Sequence, residues 1–308
     1  MEKQEQARSV LLIGVQDAGK TNFLFRFWLS LEAGGGILTR AGLPSDIDYL
    51  KTGADHLLKG EFAPHTPQDV HDKTEIPVKT TSGGHDFFGT LVVPDLPGEQ
   101  VLSVFRTRQW SDEWENQVRS GCGCLIFVRV DSPELIAPLD WMNCPNHFGK
   151  PVAEAAPEKD QSDKVKPPTQ VVLVDWLQFL RKAFTDRVNG SYKPRVGIVV
   201  AAWDLAPLEQ KATGPEVWVR ANLPLLSQFV QTNDDEFEFA YFGLSVASGD
   251  LAADPEFKAS YLKGDPRRAG EVTHSLAGTV TTSTDITLPV AWALGVVPPM
   301  SNGSTDQQ

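Results

Sequence analysis

Gly14, Val15, Gln16, Asp17, Ala18, Gly19, Lys20 and Thr21 satisfy the spacing G-x-x-x-x-G-K-[ST] at every required position. The chemistry this spacing serves is the holding of a phosphate chain. Glycines at 14 and 19 let backbone N–H groups curl around phosphate oxygens. The Lys20 ammonium neutralises the β and γ phosphates, and is for that reason also a candidate catalytic group. The Thr21 hydroxyl is placed to ligate Mg²⁺. Gln16, Asp17 and Ala18 inside the loop, and Asn22 just beyond it, are expected to complete the lining on this side.

A phosphate loop of this kind needs a second carboxylate, at the end of a neighbouring strand, to hold Mg²⁺ from the opposite side. Asp95 ends the apolar run 89–94 and opens Asp95-Leu96-Pro97-Gly98. Gly98 is then placed to offer its backbone N–H to a γ-phosphate. That contact exists only with a triphosphate, so it can act as a sensor.

The elements that must position these residues alternate between short β-branched runs and longer amphipathic stretches, which reads as an α/β fold. Residues 9–13 form a predicted strand, the loop follows, and 21–31 form a helix that ends at Gly34, Gly35 and Gly36. A long connection comes next. Residues 76–81 and 86–93 flank Ser82-Gly83-Gly84 as two adjacent strands with a tight turn. The runs CLIFVRV at 124–130 and VGIVVA at 196–201 read as interior parallel strands, and 237–246 as the last strand. Helices are expected at 171–188, at 216–230 with Pro224 kinking or splitting it, and as a short closing element at 288–294. The whole predicts a three-layer fold with a mainly parallel central sheet and one antiparallel hairpin, in one enlarged domain spanning 1–297. Two segments read as insertions. Residues 145–168 are rich in Pro and charge and should be exposed, and 248–285 are rich in Gly, Ala, Thr and Ser and carry Arg267 and Arg268. The tail 298–308 reads as disordered.

Composition narrows the function classes. Of the 308 residues, 41% are hydrophobic and 22% charged, enough apolar material for a sizeable core. A formal net charge of −12, with no offsetting block of Lys and Arg, argues against a direct nucleic-acid or anionic-membrane role. No apolar run is long enough for a membrane span, and the polar N-terminal residues lack a signal-type apolar region. Cys122, Cys124 and Cys144 make an odd number with no second pair, so they read as core thiols in a reducing cytoplasm. His65, His71 and His85 lack metal-ligand spacing, and no G-x-S-x-G or Ser/His/Asp signature is present.

In order and spacing, GVQDAGKT, DLPGEQ, CLIFVRVD, VGIVVAAWD and FGLSVAS resemble the Ras-like branch of P-loop GTPases, the TRAFAC class. LKGEFAPHT and the AWD of the later motif look like the double-GTPase families of bacterial conflict and defence gene clusters. The resemblance implies a Mg²⁺-dependent switch that binds GTP and GDP, hydrolyses GTP slowly, and is read by a protein effector through its switch loops, with dimerisation as an option. It implies Thr66 as the switch-loop Mg²⁺ ligand, with Thr74 as the alternative. It places Asp204 on the guanine edge, and Ser245 and Val246 in the last base-contacting loop. Ala201-Ala202-Trp203-Asp204 keeps the aspartate of [NT]-K-x-D and loses its first polar residue and its lysine, so Trp203 stands either over the base or packed between helices. Where the family has a water-positioning glutamine, this chain has Glu99, with Gln100 one place later, and either is a candidate for orienting water. Arg106 and Arg108 follow and are candidates for an internal arginine finger. Two other readings stay open at this point: a P-loop ATPase, and a scaffold that binds nucleotide without hydrolysing it.

Overall fold

RSVLLIG forms β1 (Arg8–Gly14), and its side chains alternate between two cores because successive residues of a strand point to opposite faces. Val10 and Leu12 join one apolar cluster, and Leu11 and Ile13 join the other. Both faces of the sheet are therefore covered, as the continuous apolar runs of the parallel strands require. The computed structural model describes residues 8–64, 73–82, 85–94, 104–109, 112, 115–116, 118, 121–132, 135–136, 167–185, 193–276 and 279–297.

After β1 come α1 (Lys20–Ala33), β2 (Thr39–Arg40), α2 (Ile47–Leu58), β3 (Lys73–Ser82), β4 (His85–Pro94) and β5 (Gly121–Arg129). The second half holds α3 (Thr169–Thr185), β6 (Arg195–Ala201), α4 (Leu208–Thr213), α5 (Pro215–Asn222), α6 (Pro224–Thr232) and β7 (Glu238–Ser245). It closes with α7 (Pro255–Lys263), β8 (Glu271–Leu276), β9 (Thr279–Ser283) and α8 (Leu288–Ala293). The strands make one nine-stranded sheet in the order β2-β3-β4-β1-β5-β6-β7-β8-β9. β4, β1, β5, β6 and β7 are mutually parallel, and the outer strands run antiparallel to their neighbours. This is the α/β architecture expected from the sequence, with the parallel strands at its centre. Pro224 splits the predicted helix 216–230 into α5 and α6, because a proline cannot donate to the turn before it and is at home at the first helical position.

Two parts of the fold differ from the sequence reading. The connection after the glycines contains a helix, α2, capped by the Asp46 carboxylate, which accepts from the Tyr49 N–H at 2.9 Å. Leu50, Ala54 and Leu57 form its buried stripe. Gly53, which weakens the helical reading, is the contact point: a Cβ there would come within 2.1–2.3 Å of the Phe25 ring on α1. The second difference lies in 248–285. β7 is not the last strand, because β8 pairs with it antiparallel (Phe242 with His274, Ser245 with Glu271) and β9 pairs with β8, making a second hairpin. The edge strand TVTTS has three exposed and two half-buried residues and a single apolar one, Val280, so no apolar alternation announces it.

α1 is tied to the segment after β7 by a buried arginine. The Arg26 guanidinium donates to the Tyr261 hydroxyl at 2.6 Å and to the Pro266 carbonyl, and Tyr261 donates in turn to the Leu57 carbonyl at 2.9 Å. Burial pushes the Arg26 pKa down, and the Tyr261 hydroxyl partly offsets that. Cys122 and Cys124 are buried free thiols, and burial raises the Cys124 pKa, so that thiol is inert. Residues 145–166 and 298–308 lie outside the described residues, as do Cys144, His65 and His71.

Candidate nucleotide site

The carboxyl ends of the parallel strands share one edge of the sheet, and a cavity of about 480 Å³ opens there. One wall is the loop between β1 and α1. Gly14 lies so close to β5 that a Cβ would stand 2.7 Å from the Phe127 carbonyl oxygen. Gly19, at φ 90°, takes the left-handed conformation from which α1 starts, and a Cβ on it would meet that of Ala201 at 2.8 Å. The N-terminus of α1 is thus aimed from beneath the loop, where its free N–H groups and positive dipole end favour an anion.

Lys20 donates to the backbone carbonyls of Gly14 at 2.6 Å and Val15 at 2.9 Å, folding the loop around its ammonium. Burial lowers its pKa to about 8, and the nearby Asp17 carboxylate partly offsets that. Asp17 is itself held in the left-handed region, at φ 57°. Its carboxylate accepts from Arg129 Nη1 at 2.7 Å and from the Ser132 hydroxyl at 3.1 Å. Asn22 holds the far side of the site, its Oδ1 accepting the Ala63 N–H at 2.9 Å. This fixes Phe62, Ala63 and Pro64 at the rim of the cavity.

The opposite wall comes from the ends of β6 and β7. Ala202, at φ 53°, turns the chain so that Asp204 and Leu205 line the cavity, while Trp203 goes the other way, 2% exposed, into the core. Trp203 packs on Gly243 of β7, where a Cβ would be 2.5 Å from the indole ring. Of the two placements open for Trp203 in the sequence, cover for the base is therefore excluded and packing is what is found, against strand β7 and not between helices. Lys211 donates to the Asp204 carbonyl at 2.6 Å and fixes this short turn from α4. Val246, Ala247, Gly249, Asp250 and Ala252 complete the wall.

The structure brings Asp17, Ala18, Gly19, Lys20, Thr21, Asn22, Asp204 and Val246 to the cavity. Gly14 underlies the loop, Gln16 points to solvent, and Ser245 is fully buried with its hydroxyl unpartnered among the described residues. Thr66, Asp95, Gly98, Glu99 and Gln100 lie outside the described residues. Thr74 is in β3, opposite Val93, and only 4% exposed. The strand starts earlier than the spacing suggested and takes Thr74 into the sheet, so it does not line the cavity. Arg108 is bound to the buried Asp175 of α3 and stacks over Phe105, which removes it as an internal finger in this conformation. Sequence reasoning missed Phe62, Arg129 and Asp250. Arg129 was visible only as one polar residue in an apolar strand run.

Thr21 supplies an oxygen donor at the cavity wall, the donor chemistry that suits Mg²⁺. Among the described residues no cluster of three or more His, Cys, Asp or Glu could hold a metal alone. No helix among the described residues is long and apolar enough to cross a membrane.

The model of the family described as Double-GTPase 1 matches residues 11–293. No curated protein matches the chain in a sequence comparison. Among solved structures, the chain is similar to Roco2 RocCORdC of Methanosarcina barkeri bound to GDP, at 12% identity and a TM-score of 0.34, covering 87% of this chain and 51% of that one. The chain therefore spans about half the length of that protein. It is also similar to the signal recognition particle receptor SRb-GDP-Mg of Chaetomium thermophilum, at 15% identity and a TM-score of 0.28, covering 83% of this chain and 97% of the other. With a family match over most of its length and a phosphate loop facing Asp204 across one cavity, the chain belongs to the Double-GTPase 1 family and is a GTP-binding domain.

Proposed function

We propose that this domain is a Mg²⁺-dependent molecular switch that binds GTP and GDP in the cavity between the Lys20 loop and Asp204 and hydrolyses GTP slowly. The observation that carries this reading is the lining itself. Gly19, Lys20, Thr21 and Asn22 form the phosphate end, and Asp204, Val246 and Ala247 the base end, of one cavity whose volume lies in the range of nucleotide-sized sites. Lys20 holds the β and γ phosphates in exchange for the carbonyls it now binds, and the amides of the loop and of the start of α1 hold the remaining oxygens. Asp204 accepts from the guanine edge, which disfavours the adenine reading. Mg²⁺, held by Thr21 with Asp95 and Thr66 as the further ligands expected from the sequence, supplies charge neutralisation between the phosphates.

Glu99 or Gln100 orients the attacking water in this reading, and hydrolysis is slow without an internal finger from Arg108, which is engaged with Asp175. The switch acts through a protein effector that reads the segments around Thr66 and Gly98, with dimerisation through the same segments as an option. A place in a bacterial defence or conflict system rests on the resemblance alone, and a reducing cytoplasm on the odd number of cysteines as well.

The test is calorimetric titration of nucleotide-stripped protein with Mg²⁺-GTPγS and Mg²⁺-ATPγS, repeated on Lys20→Ala and Asp204→Ala. The reading expects tight binding of the guanine form only, loss of binding in Lys20→Ala, and loss of base selectivity in Asp204→Ala. Unimpaired binding by Lys20→Ala sinks it. Single-turnover release of phosphate from GTP separates a slow hydrolase from a scaffold that only binds.

A further inference from the structure

The cavity contains an arginine that the phosphate motif does not require. Arg129 is the last residue of β5, and β5 lies between β1, which carries the phosphate loop, and β6, which carries Asp204. Its register partner on β6 is Ala201, and Phe127, two residues earlier, pairs with Gly14. The fold thus puts its guanidinium between the phosphate end and the base end of the cavity, where it forms part of the wall with its side chain 37% exposed. Among the described residues its one hydrogen-bond partner is Asp17, through Nη1, which leaves most of its five N–H donors unengaged.

Charge balance gives this placement a direction. The cavity wall carries two cations, Lys20 and Arg129, and three carboxylates, Asp17, Asp204 and Asp250. Asp250 Oδ1 caps its own turn by accepting from the Ala252 and Ala253 N–H groups, and Asp204 belongs to the base end. Asp17, within the phosphate loop, is an anion where an anionic ligand must lie, and Arg129 offsets it. At the base end, the position where the family motif has a lysine is Ala202, which carries no charge.

We infer that Arg129 is a ligand-positioning residue that binds the α-phosphate of the nucleotide, and that Asp17 holds it in place in the empty site and competes with the phosphate for it. This inference rests on the nucleotide reading above. A guanidinium at the junction of sugar and phosphate serves GDP and GTP alike, so Arg129 sets affinity for both and does not sense the γ-phosphate. It also supplies, from β5, the cation that Ala201-Ala202-Trp203-Asp204 lacks.

The experiment measures affinities of guanosine, GMP, GDP and GTPγS for the full chain as wild type, Arg129→Ala, Arg129→Lys, Asp17→Asn and the double variant, with thermal melting of each. Arg129→Ala is expected to weaken GMP, GDP and GTPγS by a common factor of about ten, the size of one charge-assisted hydrogen bond, and to leave guanosine unchanged. Arg129→Lys falls between, because an ammonium keeps the charge and loses the fork. Asp17→Asn tightens GDP severalfold, since asparagine also tolerates the left-handed conformation while the competing charge is gone. Equal weakening of guanosine and GDP in Arg129→Ala, or a loss in Asp17→Asn as large as in Arg129→Ala, would mean that the pair only braces the loop and would overturn the inference. A wild-type chain that binds none of the four ligands would remove the nucleotide reading itself, whereas a wild type that binds GDP no better than Arg129→Ala removes only the role of Arg129.

Discussion

Lys20 is a half-buried cation held by two carbonyls, and burial lowers its pKa to about 8 from an ordinary value of 10.5. The sign of the linkage is fixed by which state holds the proton. Between pH 8 and 10.5 the unfolded chain keeps the Lys20 proton and the folded chain releases it, so this group's contribution to stability rises with pH across that window. Below pH 8 both states are protonated and the burial cost stands in full. Bound phosphate reverses the shift, because an adjacent anion favours the ammonium. Nucleotide binding at pH 8.5 is therefore expected to take up a large fraction of one proton, and at pH 7 almost none. Titration calorimetry of GDP in two buffers of different ionisation enthalpy reads this directly. Identical apparent enthalpies at pH 8.5 would show that Lys20 is not neutral in the empty site.

Between residue and molecule, the decisive element contact is that of Trp203 with β7. The turn after β6 reaches the cavity with Asp204 only because Ala202 takes φ 53° and sends the indole inward over Gly243. Gly243→Ala puts a Cβ 2.5 Å from that ring, which cannot be relieved without moving the turn. The expected outcome is a loss of about 1–3 kcal/mol in urea unfolding together with weaker guanosine binding, while the Lys20 end is untouched. Stability lost with guanosine affinity intact would uncouple Trp203 from the base wall. The Tyr261 hydroxyl plays a comparable part between α7, α1 and α2. Tyr261→Phe leaves the buried Arg26 short of an acceptor and is expected to cost about 1–3 kcal/mol, read as a lower urea midpoint at unchanged m.

Across the molecule, the two ends of the described chain close on each other. Asp285 accepts from the Ile37 N–H at 2.7 Å, from the Thr287 N–H at 2.9 Å and from the Thr287 hydroxyl at 2.6 Å. It thereby holds the stretch before α8 against the stretch after α1. Gly36 is the residue that lets them approach, since a Cβ there would stand 2.6 Å from the Asp285 carboxylate. Arg195 does the same at the other end of α8 through the Trp292 and Val297 carbonyls, each at 2.7 Å. Asp285→Ala strands two backbone donors and a hydroxyl, and is expected to lower stability by about 2–4 kcal/mol with GDP affinity nearly unchanged, because Ile37, Asp285 and Thr287 do not line the cavity. GDP at a hundred times its dissociation constant should in turn raise the stability of the wild type by about 2.7 kcal/mol, seen as a higher melting temperature, and do nothing for Lys20→Ala.

By itself the sequence determined the phosphate loop, the order of the parallel strands' turns and the position of Asp204. Each is carried by local requirements: glycines where backbone must approach a ligand, apolar runs where a strand is covered on both faces, a carboxylate just past a strand end. What only the tertiary structure decided depends on partners far away in the chain. α2 hid behind a glycine whose purpose is the Phe25 ring. β9 hid in a segment of small polar residues because an edge strand is held by backbone hydrogen bonds that side chains do not announce, and β8, the interior strand beside it, reads only as the mixed run EVTHSL. Trp203, which the sequence left open between the base and packing, goes to the core, and Arg129, given no role in its apolar strand run, goes to the cavity, because which way a strand-end side chain points is set by its neighbours in the sheet and not by its neighbours in sequence.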